Sequence, residues 1–114
     1  MTQDSSNLYE GMYIISARLS DDARTKALEK IKQGITSRGG EIHKEHDQGR
    51  KRLAYEIEGH REGHYYVLYF NVKPEAINEM LEDYHLSEDL VRFMTLRTDK
   101  IMEKIEFKSL AEQN

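Results

Sequence analysis

The order of apolar patterns along this 114-residue chain predicts an α+β fold. Six segments follow one another as strand, helix, strand, strand, helix, strand, and three observations carry that reading. Ala27, Ile31 and Ile35 recur every four residues, the spacing of one helix face. His64 to Val72 (HYYVLYFNV) is a run of aromatic and branched residues, the composition of a strand. Pro74 stands at the head of a second helical rhythm, where the first turn accepts proline. Two right-handed split βαβ units in this order give a four-stranded antiparallel sheet with both helices on one face, the ferredoxin-like βαββαβ arrangement.

Leu8 to Ile15 (LYEGMYII) reads as the first strand, apolar on both faces. Ser20 offers an N-cap oxygen, and Asp21 and Asp22 suit the positive end of a helix running from about Asp21 to Arg38. Gly39 and Gly40 stop it, as a left-handed C-cap requires. Glu41 to His46 and Arg50 to Glu58 look extended, with a bulge or tight bend expected at Asp47-Gln48-Gly49. Gly59 to Gly63 reads as a polar turn. In the strand that follows, Tyr66, Leu68, Phe70 and Val72 form the face expected against the helices, and Tyr65, Val67, Tyr69 and Asn71 the other. The second helix carries Ile77, Met80, Leu81 and Tyr84 on one stripe, and Leu90 to Arg97 is the last strand. The expected organisation is a tail at residues 1–7, one domain at 8–98 and a polar tail at 99–114, where Ile101 and Ile105 have the spacing of a short amphipathic helix.

Composition narrows the function classes. There is no cysteine, which excludes disulfide scaffolds, thiolate zinc sites and iron–sulfur clusters. Charged residues make up 33%, no apolar run approaches membrane length, and the start lacks the basic and apolar regions of a signal peptide. The net charge of −4 argues mildly against an independent nucleic-acid binder. Its distribution matters more. Between Pro74 and Val91 stand six acids (Glu75, Glu79, Glu82, Asp83, Glu88 and Asp89) and no Lys or Arg; with those set aside the chain nets +2. An anionic partner must therefore meet another face.

Catalytic and metal-binding patterns are weak. His43, His46, His60, His64 and His85 invite a metal, but His43 and His46 fall on opposite strand faces, and Gly63 interrupts the one pair with zincin spacing, His60 and His64. No metal site is assigned. No nucleophile stands beside a base and an orienting group. An acylphosphatase-type anion cradle between the first strand and helix would need bare helix amides, whereas Asp21 and Asp22 occupy that start; Arg18 remains as a residue able to meet an anion. The basic run Arg50-Lys51-Arg52 is either a solvated edge that discourages strand aggregation or a docking edge. Arg92, Arg97 and Lys100 are compatible with phosphate contacts. Tyr65 and Tyr69 could stack bases, although the glycine-and-aromatic signature of RNA-recognition sheets is absent.

The segment Gly49-Arg50-Lys51-Arg52-Leu53-Ala54-Tyr55-Glu56-Ile57 resembles the signature of the bacterial ribosomal small-subunit protein six family. Leu8-Tyr9-Glu10, His64-Tyr65-Tyr66-Val67-Leu68 with Asn71-Val72, and Val91-Arg92-Phe93-Met94 with Arg97-Thr98 resemble other strands of that family. The likeness runs from about Asn7 to Thr98. Glu56 and Glu58 depart from it, standing where proline and a small, basic or Asn residue are usual. The resemblance implies the ferredoxin-like fold, no catalysis, no cofactor and no small-molecule substrate. It implies a structural role in the cytoplasmic small ribosomal subunit, binding the central domain of the rRNA together with ribosomal protein eighteen. On matching positions, the protein-partner residues are Asp47, Gly49, Lys51 and Arg52, and the rRNA residues Arg92, Arg97 and Lys100. A different class, a ferredoxin-like regulatory or ligand-binding domain that self-associates through sheet edges, predicts a glycine-containing ligand loop and a self-complementary edge. The sequence shows neither.

Overall fold

The computed structural model describes residues 5–104. Its elements are β1 (Asn7–Ser16), α1 (Asp21–Thr36), β2 (Glu41–Ile57), β3 (His60–Val72), α2 (Pro74–Leu86) and β4 (Leu90–Arg97). The sheet order is β2-β3-β1-β4 and every neighbouring pair is antiparallel, so the predicted α+β arrangement is the observed one. None of the described helices is long and apolar enough to cross a membrane.

Local chemistry explains the helix ends. Ser20 Oγ accepts the Ala23 N–H at 3.1 Å, satisfying one of the orphan donors of the first turn of α1. The helix closes two residues before the expected Arg38, because Gly39 turns left-handed at φ 81° and the Gly40 N–H donates to the Ile35 carbonyl at 2.9 Å. Gly40 must stay bare for another reason: a Cβ there would lie 2.8 Å from the Asn71 carbonyl oxygen. Pro74 opens α2 at its first turn, as expected.

The helix-facing side of the sheet holds the main core. Tyr13, Ile15, Leu68, Phe70 and Val72 from β1 and β3 meet Leu28, Ile31 and Ile35 of α1 and Met80 and Tyr84 of α2. The predicted parity of β3 is correct. Tyr13 and Tyr84 hydroxyls lie 3.1 Å apart inside this layer, and burial pushes the Tyr13 phenol well above its ordinary pKa.

The opposite face is also buried. Tyr65, Val67 and Tyr69 have 0%, 3% and 1% exposure, so neither tyrosine ring is available to stack a base. Two covers account for this. Near the hairpin, Leu53 and Ile57 of β2 pack on Ile14 and Tyr65. Toward the other end, the chain beyond β4 turns back over the sheet. The Thr98 N–H donates to the Leu8 carbonyl at 3.0 Å; four residues on, the Met102 carbonyl accepts from His46 Nε2 at 2.8 Å, and Glu103 reaches Lys44 at 2.8 Å. Tyr69 lies under this crossing, donating to Glu10 at 2.7 Å, and burial with the Glu10 carboxylate pushes its pKa up to about 12. Ile101 to Lys104 form no helix, and Ile105 lies outside the described residues.

One turn differs from expectation. The reversal between β2 and β3 is the two-residue turn Glu58-Gly59, not Gly59 to Gly63, and His60 to Gly63 belong to β3. Both turn residues have positive φ, 48° and 84°, the geometry that a twisted two-residue hairpin demands. Glutamate is a poor choice there, which hid the turn. Gly63 is needed for close packing instead, since a Cβ would collide with Ile14.

Candidate functional site

The strand order sets the two groups of candidate residues on opposite edges of the sheet. Asp47, Gly49, Lys51 and Arg52 belong to the β2 edge, and Arg92 and Arg97 to the β4 edge.

The β2 edge is shaped by a bulge. Asp47 pairs with Tyr66 and Gly49 with Tyr65, leaving Gln48 as the extra residue, as the sequence predicted. Gly49 turns left-handed at φ 80°. The Asp47 carboxylate clamps the bend, accepting the Gly49 N–H at 2.9 Å and His64 Nε2 at 2.7 Å. His64 in turn stacks on Tyr66, ring centroids 4.7 Å apart. Asp47 is thus tied to the fold through one carboxylate oxygen, which qualifies its role as a contact residue. Beyond the bulge, Lys51 stands opposite Gly63 and Arg52 opposite Glu62, so the two side chains leave on opposite faces of the strand. Arg52 is exposed and Lys51 half-buried. Their neighbour Arg50 is paired with Glu62.

The β4 edge is built differently. Arg92 is opposite Ile14, whose side chain faces away from the helices; Arg97 is opposite Tyr9, on the helix side. The two arginines therefore leave on opposite faces, about 17 Å apart along the strand. Lys100 lies beyond the strand on the segment that crosses back over the sheet, its N–H donating to Thr98 Oγ1 at 3.3 Å. The three residues share one side of the molecule without forming one cluster.

Other charged groups are matched within the fold. Arg38, just beyond α1, meets Glu79 at 3.2 Å and Asp83 at 2.9 Å, tempering the acidic surface of α2. Lys32 pairs with Glu45 and is raised in pKa chiefly by that hydrogen bond. The histidines are dispersed: His43 meets Asn71, His46 the Met102 carbonyl, His60 Ser16, His64 Asp47, and His85 packs on Phe93. Among the described residues no three His, Cys, Asp or Glu side chains are grouped to hold a metal ion.

Known proteins match this chain in sequence and in architecture. The profile of the family Ribosomal protein S6 matches residues 8–97, nearly the span of the six elements. The chain is 66% identical over 113 residues to small ribosomal subunit protein bS6 of Protochlamydia amoebophila, covering 99% of each. It is 59% identical over 112 residues to the bS6 of Chlamydia pneumoniae, covering 98% of this chain and 100% of that one. A crystal structure of 30S ribosomal protein S6 from Thermotoga maritima superposes with a TM-score of 0.78 at 31% identity, over 82% of this chain and 88% of the other. The regulatory-domain alternative finds no support in these likenesses. Strand order, bulged second strand and full-length similarity converge: the chain belongs to the ribosomal protein S6 family, structural proteins of the small ribosomal subunit rather than enzymes.

Proposed function

We propose that this chain, a ribosomal protein of the small subunit in the cytoplasm, binds the central domain of the small-subunit rRNA jointly with ribosomal protein eighteen. The observation that carries this reading is the division between edges. The bulged, charged β2 edge, with Asp47, Gly49, Lys51 and Arg52, takes the protein partner, while Arg92 and Arg97 on the β4 edge, with Lys100 beyond it, take phosphates. A single layer of four strands then stands between protein and RNA. Charge supports the joint mode. Sequence-independent RNA affinity comes mainly from neutralised phosphates, and a chain of net charge −4 with three dispersed basic contacts supplies little of it. A basic partner removes that deficit.

The test is binding of a central-domain rRNA fragment by the full chain with and without purified ribosomal protein eighteen, across potassium concentrations. The expected result is weak, shallow salt dependence for the chain alone, with a log–log slope of roughly −2 to −3, and a steeper slope with the partner. Tight binding by the chain alone would overturn the joint mode. A fragment from another rRNA domain bound equally well would overturn the central-domain assignment.

A further inference from the structure

The turn between β1 and α1 comes up against the tip of the β2–β3 hairpin, and between them lies an open recess of about 350 Å³. Three arginines line it: Arg18 from the turn, Arg50 from β2 and Arg61 from β3. Resemblance to the family assigned none of the three, and no spacing or pattern in the residues groups 18, 50 and 61.

The recess is held in shape by its own bonds. Arg18 Nη2 donates to the Gly59 carbonyl at the hairpin turn, which ties the β1–α1 turn to the tip. Ser16, only 5% exposed, takes the Arg18 N–H on its Oγ at 3.2 Å and sits 3.5 Å from His60 Nδ1. Arg50 is oriented by Glu62, and Arg61 is 3.6 Å from Glu56. Arg18 and Arg50 thus each spend one nitrogen on a protein acceptor, Arg61 is only loosely paired, and all three retain further N–H donors, since a guanidinium carries five. Planar forks of this kind match the paired oxygens of a phosphate. A protein-docking pocket would be expected to have an apolar centre, but Ala17 is the one apolar side chain on the lining. Position points the same way. The Ser16 N–H donates to the Asp89 carbonyl just before β4, and Arg92 pairs with Ile14, so the recess lies at the end of the sheet where Arg92 emerges.

We propose that the Arg18–Arg50–Arg61 recess is a second RNA contact, a seat for a backbone phosphodiester of the small-subunit rRNA, with Glu62 as the internal anion that holds Arg50 until RNA arrives. This rests on the joint RNA-binding reading above, and it removes part of the charge deficit that reading contains.

The experiment titrates full-length variants against protein-free small-subunit rRNA in the presence of ribosomal protein eighteen, over a range of potassium concentrations. Arg18→Gln with Arg61→Gln should weaken binding roughly tenfold, the size of one charge-assisted hydrogen bond lost, and flatten the salt slope by about 1–2. Arg61→Gln alone touches only a side chain that is 82% exposed, so it keeps the fold and should show the smaller change of the same sign. Glu62→Gln should do the opposite and tighten binding several-fold, a gain that lost structure does not produce. Unchanged affinity and slope in both arginine variants would overturn the site. So would variants that weaken association with ribosomal protein eighteen in the absence of RNA while leaving the RNA slope alone, which would make the recess a protein contact. Failure of the unaltered chain to bind rRNA with its partner would instead overturn the joint reading, and the recess with it.

Discussion

The two edges of the sheet are unlike in almost every respect that decides what can bind them. The β2 edge is 17 residues long, kinked by a bulge and covered with charges that are largely matched within the molecule: Asp47 with His64, Arg50 with Glu62, Lys44 with Glu103, Lys32 with Glu45. The β4 edge is 8 residues long, and Met94 and Leu96 are 39% and 50% exposed between its two arginines. A long unpaired strand invites its own copies to add to it, and a bulge with alternating charge discourages that while leaving a shape that one complementary partner can read. A short strand with cations on both faces imposes little shape and suits a flexible polyanion. The difference teaches how the proposed division would work: a shaped edge suited to one complementary protein and a short cationic edge suited to phosphates.

The largest effect should come from destroying what both edges share. Phe70→Ala, in the main core on β3 and fully buried, should lower unfolding free energy by about 3–5 kcal/mol in urea titrations and take both binding activities down together. If one activity survived in the unfolded range, the edges would not be built on a common core. Next, Lys51→Ala with Arg52→Ala should weaken ribosomal protein eighteen by about 2 kcal/mol or more, with an unchanged melting curve, while Arg92→Ala with Arg97→Ala leaves that affinity alone. Equal losses from both double variants would erase the division between edges. Third, the Arg92/Arg97 pair should flatten the RNA salt slope by roughly 1.4–1.8, at 0.7–0.9 for each phosphate contact. A slope change near half that value would show that only one of the two opposed side chains reaches RNA. The smallest effect sharpens the comparison without touching either set of contacts. Glu58→Asn should stabilise the hairpin by about 0.5–1 kcal/mol, because asparagine tolerates the left-handed conformation that glutamate resists. Thermal melts would measure it, and a loss of stability would mean that Glu58 makes a contact worth more than its strain.

Much of this architecture was legible in the residues. The four-residue rhythm of Ala27, Ile31 and Ile35 and the alternation of Leu68, Phe70 and Val72 report directly on burial, so helix, strand and parity followed. The bulge at Asp47-Gln48-Gly49 was legible because a glycine amid polar residues has few other uses in a strand. Three things were not. The Glu58-Gly59 turn was concealed because strand pairing from Ile57 and His60 overrides the local preference of Glu58. The burial of Tyr65 and Tyr69 depends on covers contributed by residues 53, 57 and 98–103, distant in sequence, which no local pattern reveals. The opposed directions of Arg92 and Arg97 follow from their odd spacing, yet become informative only once β4 is known to be an edge strand.

Strand order also sets a timetable. The β2-β3-β1 part of the sheet draws on residues up to Val72, whereas β4 is complete only at Arg97, a strand that pairs with β1 across 75 to 88 residues of chain. During synthesis at about 5–20 residues per second, the edge bearing Lys51 and Arg52 can therefore assemble about 1–5 seconds before the edge bearing Arg92 and Arg97 exists. A nascent chain in that interval can meet a protein before it can grip an RNA by its last strand, and the segment that later crosses from Thr98 to Glu103 closes over the sheet last of all. Arrested nascent chains of increasing length carrying Arg18→Gln and Arg61→Gln, which silence the earlier recess, would read this order when tested for ribosomal protein eighteen and rRNA in parallel; RNA capture by such chains before β4 is complete would reverse it.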